Sequence, residues 1–269
     1  MRLSSIVAVL GAFGVIVYTN HSEGDPLGAL VNLEAAVIVL GGSTMAILNQ
    51  FHLSGMLRGI KGLKWLIRPP TYDQESFVEQ LSDWTRMARR EGLLSLETVL
   101  AEVEDPFLAD GLQMVIDGLE VENLRSLLAT RMETDEREDT EPAEVWEAVG
   151  GYAPTLGVLG AVMGLIHVML HLSGAGASIG SGIAAAFVAT LYGVGSANLI
   201  FIPMGKRLGR VVEERVRYRE MVVAGLALLA EGANPQTLKM RLNGYISRHA
   251  PKKRPAQQEA AEEVADAQA

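Results

Sequence analysis

Four stretches of the chain are almost wholly apolar over lengths near the ~20 residues that a helix needs to cross a bilayer: about 3–19, 27–49, 151–172 and 181–204. Between the second and the third the pattern turns amphipathic. Over residues 55–67, Met56, Leu57, Ile60, Leu63 and Leu66 recur at helical spacing, with Arg58, Lys61 and Lys64 mostly on the other side, which predicts a helix lying on a membrane surface in contact with lipid. After Pro69-Pro70, residues 74–128 read as several amphipathic helices broken near Gly92, Asp105-Pro106 and Gly118. Beyond 204 the positions Leu208, Val211, Val212, Val216, Met221, Leu226 and Leu229 keep the helical period, so the fourth stretch continues as one long helix until Gly232-Ala233-Asn234-Pro235 stops it. A short helix is expected over 236–246 and a disordered, Ala/Glu/Gln-rich tail over 251–269.

The pattern predicts an all-α polytopic membrane protein with four transmembrane helices and a helical cytoplasmic domain between the second and third. Its expected divisions are a first hairpin (1–50), a cytoplasmic domain with the interfacial helix (51–150), a second, pore-forming hairpin (151–204), a cytoplasmic extension (205–250) and the tail (251–269). The first stretch begins just after Arg2, as a signal peptide would, but a tight polar turn over 20–26 follows it instead of a small-residue cleavage site. It is read as an uncleaved first span. The turns at 21–25 and 173–180 hold no Lys or Arg, whereas Arg58, Lys61, Lys64 and Arg68 follow the second span and Lys206, Arg207 and Arg210 the fourth. The positive-inside bias puts both termini in the cytoplasm, which in a bacterial cell means a multi-pass inner-membrane protein.

Composition agrees with this division. In 269 residues, 49% are hydrophobic and the mean hydropathy is +0.20, yet 20% are charged and avoid the apolar runs. The net charge of −9, much of it from residues 133–147 and the tail, argues against a nucleic-acid partner. With no Cys there is no disulfide framework, thiolate metal site or Cys nucleophile.

Residues 151–204 contain no Asp, Glu, Lys or Arg. If this region conducts a cation, another chain supplies the ionisable group. What it does hold is small residues at helix-packing intervals: Ala153 and Gly157, Gly160 and Gly164, then Ser181, Ala185, Ala189, Gly193 and Ala197. These serve either the packing of the third span on the fourth or close approach by other subunits. Pro154 is either a kink or a first-turn proline, which costs little; Pro203, deep in a continuous helix, is the better hinge candidate. Thr155 and Thr190 are candidates for a pore wall, against the alternative that each hydroxyl bonds its own helix. Glu34 is assigned to the outer interface rather than to the hydrocarbon, where a carboxylate costs ~2.5–3.5 kcal/mol. His167 and His171 have i, i+4 spacing but no third metal ligand, and no catalytic pattern accompanies them.

Four blocks carry a resemblance. Gly151-Tyr152-Ala153-Pro154-Thr155 running into Gly160-Ala161-Val162-Met163-Gly164-Leu165-Ile166-His167, and Ala186-Phe187-Val188-Ala189-Thr190-Leu191-Tyr192-Gly193, resemble the third and fourth spans of the MotA/PomA/MotC family of flagellar stator subunits. Met87-Ala88-Arg89-Arg90-Glu91-Gly92-Leu93-Leu94-Ser95-Leu96-Glu97 and Glu231-Gly232-Ala233-Asn234-Pro235 extend it. The resemblance implies a homo-oligomeric ring, a pentamer, around a MotB-type single-span partner that carries the essential Asp. It implies an ion pathway past Thr155, Ala161 and Thr190, conformational coupling at Pro154 and Pro203, and contact of Arg89, Arg90 and Glu97 with the rotor switch protein FliG. Helical geometry would also set Arg90 and Glu97 on one face, if Gly92 does not break the helix. Sodium-driven members are similar in having Thr where this chain has Ala161, so the transported ion is read as the proton, with sodium as the alternative and no cofactor.

Three other readings compete, one of them a purely structural scaffold, which would pass no ions with any partner. An energiser of the ExbB/TolQ type also pairs a carboxylate-free pore with a partner's Asp, but resembles a three-span protein without the Arg-Glu block. A membrane hydrolase built on His167 and His171 lacks a nucleophile and a metal triad, so no enzyme is expected.

Overall fold

The computed structural model describes residues 3–22, 24, 27–170 and 177–246. Among these every regular element is helical: α1 Leu3–Ser22; α2 Leu33–Gln50; α3 Leu53–Ile67; α4 Gln74–Glu91; α5 Pro106–Ile116; α6 Val121–Leu170; α7, which begins at Ala177 and ends at Ala230; and α8 Pro235–Leu242. The expected tail and His171 lie outside the described residues. α2 and segments of α6 and α7 are long and apolar enough to cross a membrane, and α1 adds a 20-residue helix without Asp, Glu, Lys or Arg. The chain divides into two compact units, one of residues 1–71 and 130–216, the other of residues 72–129 and 217–269.

In the first unit the second span starts later than its hydropathy suggests. Residues Leu27–Leu30 form a 3-10 turn, and α2 begins at Leu33 because Asn32 caps it, its Oδ1 accepting from the Ala35 N–H at 2.9 Å. Glu34 therefore occupies the exposed first turn of α2, where a carboxylate suits the helix dipole. The core is a series of small clusters in which α2 meets the spans of α6 and α7: Ala35 with Val188 and Ala189, then Val39 with Ala153 and Ala197, then Ile47 with Val145 and Val149. A fourth cluster joins Leu66 of α3 to Ala143 and Leu208.

The third span is not a separate helix. α6 runs unbroken for 50 residues through the charged run and takes both Pro142 and Pro154 into its interior. That corrects the option of Pro154 as a first-turn residue. α7 contains a π-helical turn, Ala197–Phe201, in which the Ile202 N–H bonds the Ala197 carbonyl, and Pro203 follows directly. A wide turn of this kind is a known way to fit irregularity into a helix and is frequent at functional sites.

α3 seats on α6 through its glycines. It buries Gly55, Gly59, Gly62 and Leu66, because the glycines let its backbone approach Glu141, Val145 and Pro142 of α6. The Trp146 Nε1–H donates to the Gly59 carbonyl at 3.0 Å.

The second unit follows its sequence signals. Asp73 caps α4, Asp105 caps α5 ahead of Pro106, and Asn234 caps α8 ahead of Pro235. Gly92, Gly118 and Gly232 stop helices at φ +89, +70 and +65, a region that costs a side-chain-bearing residue strain. Phe77, Leu81, Leu96, Phe107, Leu112 and Leu226 are among its fully or nearly fully buried side chains. The buried Arg219 guanidinium lies 4.8 Å from the centre of the Phe107 ring. Tyr218 stacks on Tyr72 at 4.8 Å, and burial pushes its hydroxyl pKa up to about 12, with the charges of Asp105, Tyr72 and Asp73 adding to the rise.

Candidate ion pathway and rotor-facing residues

The hairpin of α6 and α7 packs backbone to backbone. A Cβ on Gly157 would stand 2.9 Å from the Ala189 carbonyl oxygen and 3.1 Å from the Gly193 Cα; one on Gly164 would stand 3.0 Å from the Ala186 Cβ. Ala189 and Ala197 are buried in the same interface. Much of the small-residue column therefore serves packing of the third span on the fourth within the chain. Ala185 is half-buried, and the side chain of Ser181 lies outside the description.

Pro154 and Pro203 each interrupt one helix of the pair. Proline lacks the N–H that would bond back along the helix, so the Gly150 carbonyl loses its four-back donor in α6, and the π-helical turn of α7 that precedes Pro203 lacks one bond as well. Gly150 packs directly on Ile202, where an added Cβ would lie 3.2 Å from the Ile202 backbone N. The two proline turns are thus brought together through these neighbours. Pro154 itself faces Gly193, whose added Cβ would lie 3.2 Å from the Pro154 Cα.

The candidate pore hydroxyls differ. Thr155 is exposed, and its Oγ1 donates to the Tyr152 carbonyl at 2.7 Å, so it has its own helix as partner. Thr190 is half-buried, and its Cα lies 3.4 Å from where a Cβ on Gly157 would stand. Ala161 is half-buried on α6. His167 is exposed near the end of α6, and no group of three or more His, Asp or Glu among the described residues is arranged to hold a metal.

Two residues escaped the sequence reading. Tyr192 donates its hydroxyl to the Leu30 carbonyl at 2.7 Å and accepts from the Asn32 N–H at 3.2 Å, fastening α7 to the entry of α2. Asn198 lies on an exposed stripe of α7 with Ala184, Phe187, Leu191 and Val194. Its amide donates to the Val194 carbonyl at 2.9 Å, leaving Oδ1 as an acceptor on an otherwise apolar face. A polar side chain inside a hydrophobic span was the available signal.

In the second unit, Arg89 and Arg90 are exposed in the last turn of α4, a favourable place for cations. Arg90 lines a shallow depression with Asp83, Arg86, Met87 and Glu91. The expectation that Arg90 and Glu97 share a helix face does not hold, since Gly92 ends α4 and Glu97 opens the next helical turn. Arg89, Arg90 and Glu97 remain exposed charges on either side of one tight turn.

These features define a polytopic helical membrane protein with a tightly packed, proline-interrupted hairpin whose residues 151–204 hold no Asp, Glu, Lys or Arg. Residues 100–221 match the MotA/TolQ/ExbB proton channel family. Motility protein A of Bacillus subtilis is 32% identical over 251 residues, which cover 91% of each chain. The structure of C. jejuni MotAB superposes with a TM-score of 0.85 at 29% identity, covering 94% of this chain and 99% of that one. That of the flagellar MotAB stator complex from Bacillus subtilis gives 0.81 at 31% identity, covering 91% and 96%. The chain belongs to the motility protein A family, a family of channel subunits and not of enzymes.

Proposed function

We propose that this protein is the ion-conducting stator subunit of a bacterial flagellar motor, coupling inward proton flow to torque. The observation that carries the reading is the absence of Asp, Glu, Lys and Arg from residues 151–204. A cation crossing such a region needs a carboxylate from elsewhere. The similar solved complexes are titled MotAB, which supports a MotB-type partner as its source. Thr155, Ala161, Thr190 and Asn198 border the path. Loading of the partner's carboxylate shifts the proline turns at Pro154 and Pro203. Arg89, Arg90 and Glu97 engage FliG by complementary charge. Copies of the chain form a ring, a pentamer by family resemblance, in the inner membrane with both termini cytoplasmic.

The methyl of Ala161 offers no oxygen to replace sodium's hydration shell, and a proton needs none, which favours protons over sodium. The test is rotation of tethered cells that lack their own stators and receive this chain with its partner, in media with and without sodium. Rotation in both media supports a proton-driven stator, and rotation only with sodium overturns the ion assignment. No rotation despite co-assembly on a matched rotor favours an ExbB/TolQ-type energiser.

A further inference from the structure

α3 follows α2 after two residues, so it begins where a membrane-spanning helix ends. Its seat on α6 is fixed on one side by Gly55, Gly59 and Gly62 and by the Trp146 bond to the Gly59 carbonyl. Arg58 is drawn to the same side, its Nε 2.6 Å from Glu141 Oε2 and its Nη1 3.8 Å from Glu138; the Glu141 contact is an ion pair without hydrogen-bond geometry. The opposite side is uncovered. Leu53 is 65% exposed, Leu57 50%, Ile60 51% and Ile67 66%, and Lys61, Lys64 and Arg68 are exposed along the same side. These three cations have no ion-pair partner among the described residues, in contrast to Arg58.

We infer that this face of α3 is a docking surface for acidic phospholipid, with Leu53, Leu57, Ile60 and Ile67 entering the headgroup and acyl boundary and Lys61, Lys64 and Arg68 pairing with phosphates. A helix whose buried side is glycine and whose free side mixes leucine, isoleucine and lysine is suited to an interface, where long basic side chains lie along apolar surface with their heads in water. The choice of acidic over neutral lipid follows from the uncompensated charge, since each basic residue near an anionic membrane surface raises affinity about fivefold. Such docking requires that the chain be a membrane protein and does not depend on the motor.

The test reconstitutes the full chain in bilayers of equal phosphatidylglycerol and phosphatidylcholine, extracts it gently, and measures the retained lipids by mass spectrometry. The wild type is expected to retain phosphatidylglycerol in excess. The Lys61→Gln/Lys64→Gln/Arg68→Gln variant should lose that excess by at least about fivefold, while Lys239→Gln/Arg241→Gln, which removes positive charge from α8, should keep it. An unchanged ratio in the triple variant overturns the proposal. So does a Leu57→Gln/Ile60→Gln variant that lowers the subunit count while leaving the lipid ratio intact, because the face would then be covered by another copy of the chain. No rotor enters the measurement, so failure of the stator reading and failure of this inference are separable.

Discussion

Replacing Gly193 by Ala tests whether backbone contact holds the hairpin together. The added methyl would stand 2.5 Å from the Ala153 carbonyl oxygen, 3.0 Å from the Gly157 Cα and 3.2 Å from the Pro154 Cα. All three are backbone atoms, so no side-chain rotation can make room and α7 must move off α6. Overpacking of this kind costs about 1–3 kcal/mol. Alanine also stabilises a helix relative to glycine by about 1 kcal/mol, which would mask part of the loss. Gly195, two residues on in the same helix, provides the correction: a Cβ there meets nothing within 4 Å, so Gly195→Ala carries the propensity gain alone. The difference between the two variants is then the overpacking term. At roughly 2–4 °C per kcal/mol for a chain of this size, Gly193→Ala should melt about 2–12 °C below Gly195→Ala in detergent, followed by near-ultraviolet circular dichroism. Equal melting of the two variants would refute close backbone packing at Gly193.

Tyr192→Phe removes both bonds to the α2 entry and should destabilise by about 1–3 kcal/mol, with faster amide exchange at Asn32; unchanged exchange would show that the bonds do not hold that entry. Tyr218 should resist ionisation until about pH 12, against an ordinary value near 10, measured by tyrosinate absorbance of wild type against Tyr218→Phe. Since its folded pKa is the higher one, its stabilising contribution is complete below about pH 10 and is lost as pH rises towards 12, so the Tyr218→Phe variant should lose less stability across that window. Charge reversal at Arg89 or Glu97 should lower torque in tethered cells while leaving membrane insertion unchanged; full torque from the doubly reversed variant on an unmodified rotor would remove these residues from the contact.

Where local chemistry decides structure, the chain could be read. Gly92, Gly118 and Gly232 stop helices at positive φ, and Asp105 with Pro106 starts one, as their residue types require. The apolar runs near α2, α6 and α7 likewise announce spans. Where packing decides, the pattern misled. Residues 133–147 have no apolar period, yet they are helical because α6 is continuous with an apolar span on one side and a packed segment on the other. Pro142 is accommodated within that helix beneath Gly62 of α3. In α3 the outward leucines and isoleucines fit the surface helix that their spacing predicts, whereas the seat on α6 through Gly55, Gly59 and Gly62 was not legible. The Arg90 and Glu97 spacing looked helical only until Gly92 took positive φ.

The hairpin combines two properties that usually oppose each other. Gly157, Gly164 and Gly193 bring the helices so close that a single methyl would not fit, and interiors packed this tightly resist continuous deformation. At Gly150 and Ile202, however, the interface joins two turns that each lack a backbone bond because of the prolines at 154 and 203, next to the π-helical turn of α7. Displacement is therefore cheapest at that level, since fewer hydrogen bonds have to be broken there than elsewhere along the pair. A helix pair without Asp, Glu, Lys or Arg over residues 151–204 thus has one defined place to change shape, while the glycine contacts keep the rest of the pair in register.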